Sequence, residues 1–299
     1  MSTTTAPAWT VGDDITVHRI DETLLPTATG PWLLPAATPE VVAGEGWLRP
    51  HFADDAGVLH LHSHSFAFTA GGLRILVDTG IGNGKQRANP AWHDLDTGYL
   101  ERLTAAGYPP EAVDLVLLTH LHADHVGWNT RSRDGRWIPT FPNARYVASR
   151  TEREFWAGHA MEDARRQMFL DSVVPVEEAG LLELVDVPAA GADIAPHVRL
   201  LPTPGHTPGH TAVEVAGRGG TAVITGDCIH HPVQLARPGI GTCADIDPER
   251  AEATRRALLA SLADTDTLLL GTHFAPPTAG RVVRHGEGYR LTPVPASGR

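Results

Sequence analysis

Five short apolar runs in this chain each end in side chains able to bind a metal ion. Residues 73–77 lead into Asp78-Thr79-Gly80, and residues 115–118 into Thr119-His120-Leu121-His122-Ala123-Asp124-His125. Residues 198–201 precede Thr203-Pro204-Gly205-His206-Thr207-Pro208-Gly209-His210. Residues 222–224 precede Thr225-Gly226-Asp227, and residues 267–270 precede Gly271-Thr272-His273. Apolar runs of this length read as buried strands. Polar groups directly past buried strands are the α/β arrangement, with function gathered at strand ends. Glycines in these segments let the backbone turn tightly or approach an ion.

The run from Thr119 to His125 is the most informative. In extended chain, residues two apart point to the same side, so His120 and His122 can bind one ion together. Asp124 and His125 then point at a neighbouring position. Composition agrees: 17 histidines stand in 299 residues, where an average usage of about 2% would give roughly six. The two cysteines, Cys228 and Cys243, exclude a disulfide framework and a cysteine-rich zinc module. An imidazole and carboxylate donor set suits zinc, with manganese, iron or cobalt as alternatives.

Hydrophobic residues make up 42% of the chain and charged residues 20%, which supplies a core and excludes global disorder. The formal charge of −11 argues against nucleic acid or an anionic membrane as the main partner. A small-molecule substrate is expected instead. Residues 1–10 lack a basic segment followed by an apolar one, and no apolar run approaches membrane-spanning length. The expected compartment is the cytoplasm.

Along the chain, residues 1–12 read as a loose tail and 15–20 as a strand. Residues 25–57, rich in proline, glycine and alanine and carrying Trp32 and Trp47, read as an irregular arm and a possible homodimer contact. Residues 58–69 alternate, with Leu59, Leu61, Ser63 and Ser65 on one face and His60, His62, His64 and Phe66 on the other. Gly71-Gly72 turns them into 73–77 as a hairpin. Helices are expected at 99–106, from a Thr151/Glu154 capping box through Trp156, and from Asp247-Pro248 to 262. Further strands are expected at 146–148, 212–215, 281–283 and 289–291.

The order of these motifs resembles the metallo-β-lactamase-fold hydrolases, which include glyoxalase II, acyl-homoserine lactonases and methyl-parathion-type phosphotriesterases. The matching positions are Asp78, the run His120, His122, Asp124 and His125, then His206, Asp227 and His273, within roughly residues 58–285. The resemblance implies an αββα sandwich of two mixed β-sheets flanked by helices. It implies one catalytic domain over 58–299; residues 1–57, which no motif of the resemblance covers, are expected as an arm and first strand packed on it. It also implies two metal ions: His120, His122 and His206 would hold the first, Asp124, His125 and His273 the second, and Asp227 would bridge them. Asp78 would hold a ligand histidine in its tautomer.

The chemistry then implied is hydrolysis by a metal-bridging hydroxide, with Asp124 and Asp227 as catalytic carboxylates. The expected substrate is a small ester or lactone. Phosphotriester or other phosphoester hydrolysis is the first alternative; β-lactam hydrolysis and single-iron sulfur dioxygenation stand further back. Asp227 fills the place where one branch has a cysteine ligand, which leaves the neighbouring Cys228 as a packing residue. Candidate pocket walls are His64 and Phe66 from the alternating strand, Trp128 just past the metal run, and His230 and His231 just past Asp227.

Overall fold

The triplet Leu115–Leu117 shows how the layers form. Leu115 and Leu117 face one core, Val116 faces another, and all three are buried. A strand apolar on both sides must be covered on both sides. The computed structural model describes residues 6–297. Its first sheet is built from β1 (Ala8–Val11), β2 (Ile15–Leu24), β3 (His62–Ala70), β4 (Leu73–Val77) and β5 (Leu115–Leu117). A separate hairpin follows, β6 (Thr130–Arg133) and β7 (Arg136–Pro139), and then β8 (Arg145–Ser149) and β9 (Leu182–Val185) complete the first sheet. The second sheet contains β10 (Ala192–Ala195), β11 (Val198–Pro202), β12 (Thr211–Gly217), β13 (Gly220–Ile224), β14 (Leu268–Leu270), β15 (Ala279–His285) and β16 (Gly288–Pro293).

The strand orders are β1-β2-β3-β4-β5-β8-β9 and β10 to β16 in sequence. Both sheets are mixed: β4, β5, β8 and β9 run parallel in the first, and β13 pairs parallel with β14 in the second. Phe66, Phe68, Ile75, Leu115 and Leu117 meet Val198, Leu200, Val213, Ile224 and Leu270 between the sheets. Outside the first sheet, Leu76, Val116 and Tyr146 pack on residues of four helices. Outside the second, Val223, Leu269 and Val282 pack on residues 25–61 and on the long helix at 248–262. This is the expected αββα sandwich.

The helices are α1 (Thr29–Leu33), α2 (Pro39–Gly44), α3 (Tyr99–Ala105), α4 (Arg150–Gly158), α5 (Asp163–Ser172), α6 (Val174–Glu178), α7 (Val233–Ala236) and α8 (Pro248–Leu262). Asp247 caps α8 as expected, accepting from the Arg250 N–H at 3.0 Å. The helix α4 starts at Arg150 behind Ser149, so Thr151 and Glu154 form no capping box. No helix among the described residues is long and apolar enough to cross a membrane.

Two other expectations need correction, and one hairpin went unforeseen. Of the tail expected at 1–12, residues 1–5 lie outside the described residues, and Ala8–Val11 is a strand. Its alternate residues Trp9 and Val11 are buried between the sheets, and Trp9 Nε1 donates to the Val294 carbonyl at 2.9 Å. The arm at 25–57 is partly helical, because Thr38 caps α2 and Pro39 sits at its first position. Sequence reading passed over the β6–β7 hairpin, although Asp134-Gly135, both with positive φ, is a two-residue hairpin turn signal.

The paired strand ends set up the site. Val77 pairs with Leu117, and Ile224 with Leu270. Asp78 follows Val77 directly. His120, Asp227 and His273 each lie three residues beyond their strand's last paired position, so all four groups emerge at one end of the sandwich.

Candidate metal centre

The structure gathers the seven expected ligands into two clusters. One holds His120, His122, His206 and Asp227; the other holds Asp124, His125 and His273. Asp227 faces both. Its Oδ2 lies 3.7 Å from His120 Nε2 and 3.4 Å from His206 Nε2. Its Oδ1 lies 3.2 Å from His125 Nε2 and 3.1 Å from His273 Nε2. Asp124 Oδ1 and Oδ2 lie 3.8 Å and 3.6 Å from His125 and His273. His122 Nδ1 lies 2.9 Å from His206 Nε2.

Hydrogen bonds at the other ring nitrogen decide which way each imidazole offers its lone pair. His125 Nδ1–H donates to Asp78 Oδ2 at 2.8 Å, and His206 Nδ1–H to Asp245 Oδ1 at 3.0 Å. His273 Nδ1–H donates to the His62 carbonyl at 2.9 Å. The Thr119 hydroxyl gives its hydrogen to Asp78 Oδ2, so His120 Nδ1–H donates to Thr119 Oγ1 at 3.1 Å. Each Nε2 is thereby left as a lone pair pointing at the centre.

His122 Nδ1 and His206 Nε2, which meet at 2.9 Å, face the centre, where the Nε2 atoms of His120 and His125 and Oδ1 of Asp227 are buried without a hydrogen bond. Buried acceptors that converge in this way are costly unless a cation satisfies them all. The donor set therefore fits two divalent ions.

Electrostatics points the same way. Burial, with His125 and His122 alongside, holds His120 well below its ordinary pKa. Burial, with His206 and Arg165 alongside, does the same to His122. Both are neutral donors. Burial also works against charge on His125, but Asp227, Asp78 and Asp124 outweigh it and hold its pKa well above the usual range. His273 is raised in the same way, by Asp227 and then Asp124. The second cluster lies in a field that favours positive charge.

Asp78 needs a left-handed backbone, φ 56°, to reach both Thr119 and His125, which aspartate tolerates better than most residues. Gly226, φ 50°, is required where it stands: a Cβ would meet His210 Nε2 at 2.6 Å. That nitrogen accepts from the Asp227 backbone N–H at 2.8 Å, so His210 sets the bridging aspartate from behind.

The expected pocket residues divide. His230 belongs to the site, with Nε2 3.0 Å from Asp227 Oδ2 and its ring stacked on His273 at 5.8 Å. His64 is buried behind the site, its Nε2 on the Gly271 carbonyl at 3.1 Å, where it supports the turn carrying His273. Phe66 is no pocket wall: it is buried between the sheets. Trp128 is not one either. It stacks on Tyr99 at 5.6 Å and donates to Glu22 at 2.8 Å. His231 turns away, with Nε2–H on the Phe52 carbonyl at 2.8 Å and Nδ1 accepting from Val233 N–H at 3.0 Å. In each case the direction was set by the element packed against the side chain.

The neutral His231 carries a pH signature. Burial lowers its pKa to about 4, against 6.5 for an ordinary histidine. Between those values the unfolded chain binds the extra proton, so stability falls as pH drops from 6.5 towards 4. His231→Gln lacks this penalty. The stability gap between wild type and His231→Gln should narrow by roughly 2–3 kcal/mol from pH 7 to pH 4.5 in urea titrations. A gap that does not change with pH would disprove the assignment.

Sequence reading passed over three carboxylates that hold the site together. Asp245 orients His206 and also accepts from Thr242 N–H. Glu152 is fully buried; it accepts from Leu121 N–H and Trp156 Nε1–H on one oxygen and from Thr207 Oγ1–H and Gly209 N–H on the other. It joins the two ligand loops. Glu22 does the same for the loop after Asp78. A signal existed only for Glu152, which lies just past the apolar strand β8 as the ligands lie past theirs.

A family model of the metallo-beta-lactamase superfamily matches residues 59–273. The N-acyl homoserine lactonase AiiA of Bacillus thuringiensis subsp. kurstaki is 29% identical over 126 residues, 42% of each chain. The match thus spans less than half of that curated relative's length. Among solved structures, hydrolase AbOPH of the beta lactamase superfamily aligns with a TM-score of 0.78 at 24% identity, covering 98% of this chain and 99% of the other. The dizinc quorum-quenching lactonase AidC, in complex with N-hexanoyl-L-homoserine product, aligns with a TM-score of 0.76 at 20% identity, covering 97% of each chain. At these identities the structural likeness speaks for the fold.

Proposed function

This chain belongs to the metallo-β-lactamase superfamily, and on that premise we propose that it is a dinuclear metal-dependent hydrolase opening small esters or lactones. The observation that carries the proposal is Asp227, whose two oxygens face two separate sets of imidazole lone pairs. His120, His122 and His206 would hold one ion and Asp124, His125 and His273 the other. Zinc is the metal proposed, with manganese, iron or cobalt also suited to these donors. Bound there, two divalent ions would polarise the substrate oxygen and bring the pKa of water towards neutrality.

The chain's own residues do the rest. Asp78 and Asp245 keep His125 and His206 in the donating tautomer. Asp124 is the most solvent-exposed residue of the ligand set, so it can take a proton from the nucleophile and pass it to a leaving oxygen. His230 stands against Asp227 and can hold a substrate oxygen by hydrogen bonding. The N-acyl homoserine lactonase relative supports an ester or lactone as the substrate.

The test is metal content on protein purified without chelator, paired with acid release from lactones and aryl esters and a phosphotriester panel. Two zinc-class ions per chain and chelator-sensitive lactone opening are expected. Turnover of phosphotriesters alone would replace this reading with the phosphoester one. One iron per chain with oxygen uptake would overturn it.

A further inference from the structure

Arg165, in the first turn of α5, stands beside the metal centre. Its guanidinium carbon lies 4.2 Å from the centroid of the Trp156 ring, and that ring packs 5.7 Å from His122. Trp156 is itself fixed, buried and tied by Nε1–H to Glu152 at 2.8 Å. The arginine therefore rests on a rigid platform one ring away from an expected metal ligand.

Among the described residues its guanidinium makes no hydrogen bond and no ion pair. Asp124, Glu152 and Glu162 act on it only at longer range. The position is poor for a cation on local grounds, because the first turn of a helix favours negative charge. A half-buried arginine with five donors and no protein acceptor is built to receive an anionic group.

We propose that Arg165 is a specificity-determining residue that binds a carboxylate carried by the ligand at the metal centre. The proposal rests on the reading of this centre as the substrate site. A guanidinium lying on an indole face keeps its N–H edge free for a bidentate carboxylate. Asp124, Glu152 and Glu162 already act on this one arginine at longer range, so a singly charged partner suits it better than a doubly charged phosphate.

Calorimetry with glutaranilic acid and its primary amide tests this, since the two ligands match in size and both carry an anilide in place of an ester. The wild-type protein as purified should bind the acid at least tenfold more tightly than the amide. Arg165→Met, which keeps the packing on Trp156, should reduce that preference below twofold, and Arg165→Lys should retain part of it. No preference in the wild type, or an undiminished one in Arg165→Met, overturns the proposal. A parallel arm compares 4-nitrophenyl hydrogen glutarate with 4-nitrophenyl 4-carbamoylbutanoate, where the effect should appear in KM. A carboxylate preference lost in Arg165→Met with neither ester turned over would support Arg165 and overturn the hydrolase reading. Equal turnover of both esters by both proteins, without a calorimetric difference, would do the reverse.

Discussion

Asp227→Ala is expected to lose activity on the order of 10³-fold, because the ions it would hold, which would stabilise transition-state charge, are no longer retained together. It should also lower the metal content below two ions per chain. Among the described residues, Asp227 is the one side chain that reaches both imidazole sets, so its removal weakens both sites together. The fold should survive, because the hydrogen bond to His210 comes from the backbone of residue 227. Circular dichroism and a melting curve would establish that. Retention of two ions with kcat/KM within tenfold of wild type would refute the bridging role.

Glu22→Ala should destabilise the fold strongly, because it removes a buried carboxylate that accepts four hydrogen bonds. Glu22 accepts from Ser63 Oγ–H at 2.8 Å, Ile81 N–H at 2.7 Å, Gly82 N–H at 2.9 Å and Trp128 Nε1–H at 2.8 Å. Burial still pushes its carboxyl above the usual range, even with four donors on it. Removing the acceptor strands four donors in the interior, at a cost of about 4 kcal/mol. For a chain of this size that corresponds to a melting-temperature drop of roughly 10 °C. Glu22→Gln keeps one accepting oxygen and should lose about half as much. A drop under 2 °C for Glu22→Ala would show that water or a rearranged loop replaces the carboxylate.

The Glu22 site also explains a glycine. A Cβ on Gly80, φ 60°, would sit 2.4 Å from Glu22 Oε2. The Asp78-Thr79-Gly80 segment thus needs its glycine for a partner 58 positions earlier in the chain, which no local reading of the motif supplies.

Much of the metal centre was legible because its information is local. The five segments announce themselves by apolar strand and polar end, and the His120 to His125 spacing places four ligands within one loop. The Asp247-Pro248 start of α8 was equally readable, because a cap needs only its own first turn. The β6–β7 turn was readable in principle for the same reason.

By itself, then, the sequence determined the ligand types, the strand ends that carry them and the α/β class, all properties of short stretches with a fixed period. Only the tertiary structure decided where side chains of ambiguous use point. His230 reaches Asp227 while His231 binds the Phe52 carbonyl, although they are adjacent. Trp128 and Phe66 went into cores rather than a pocket, because Tyr99 and Glu22 cover the one and the opposing sheet covers the other. Asp245 and Arg165 acquire meaning from His206 and Trp156, residues brought beside them by sheet pairing and helix packing. A side chain's partner across the fold sets its direction, and that partner is not encoded in the periodicity of the stretch that holds it.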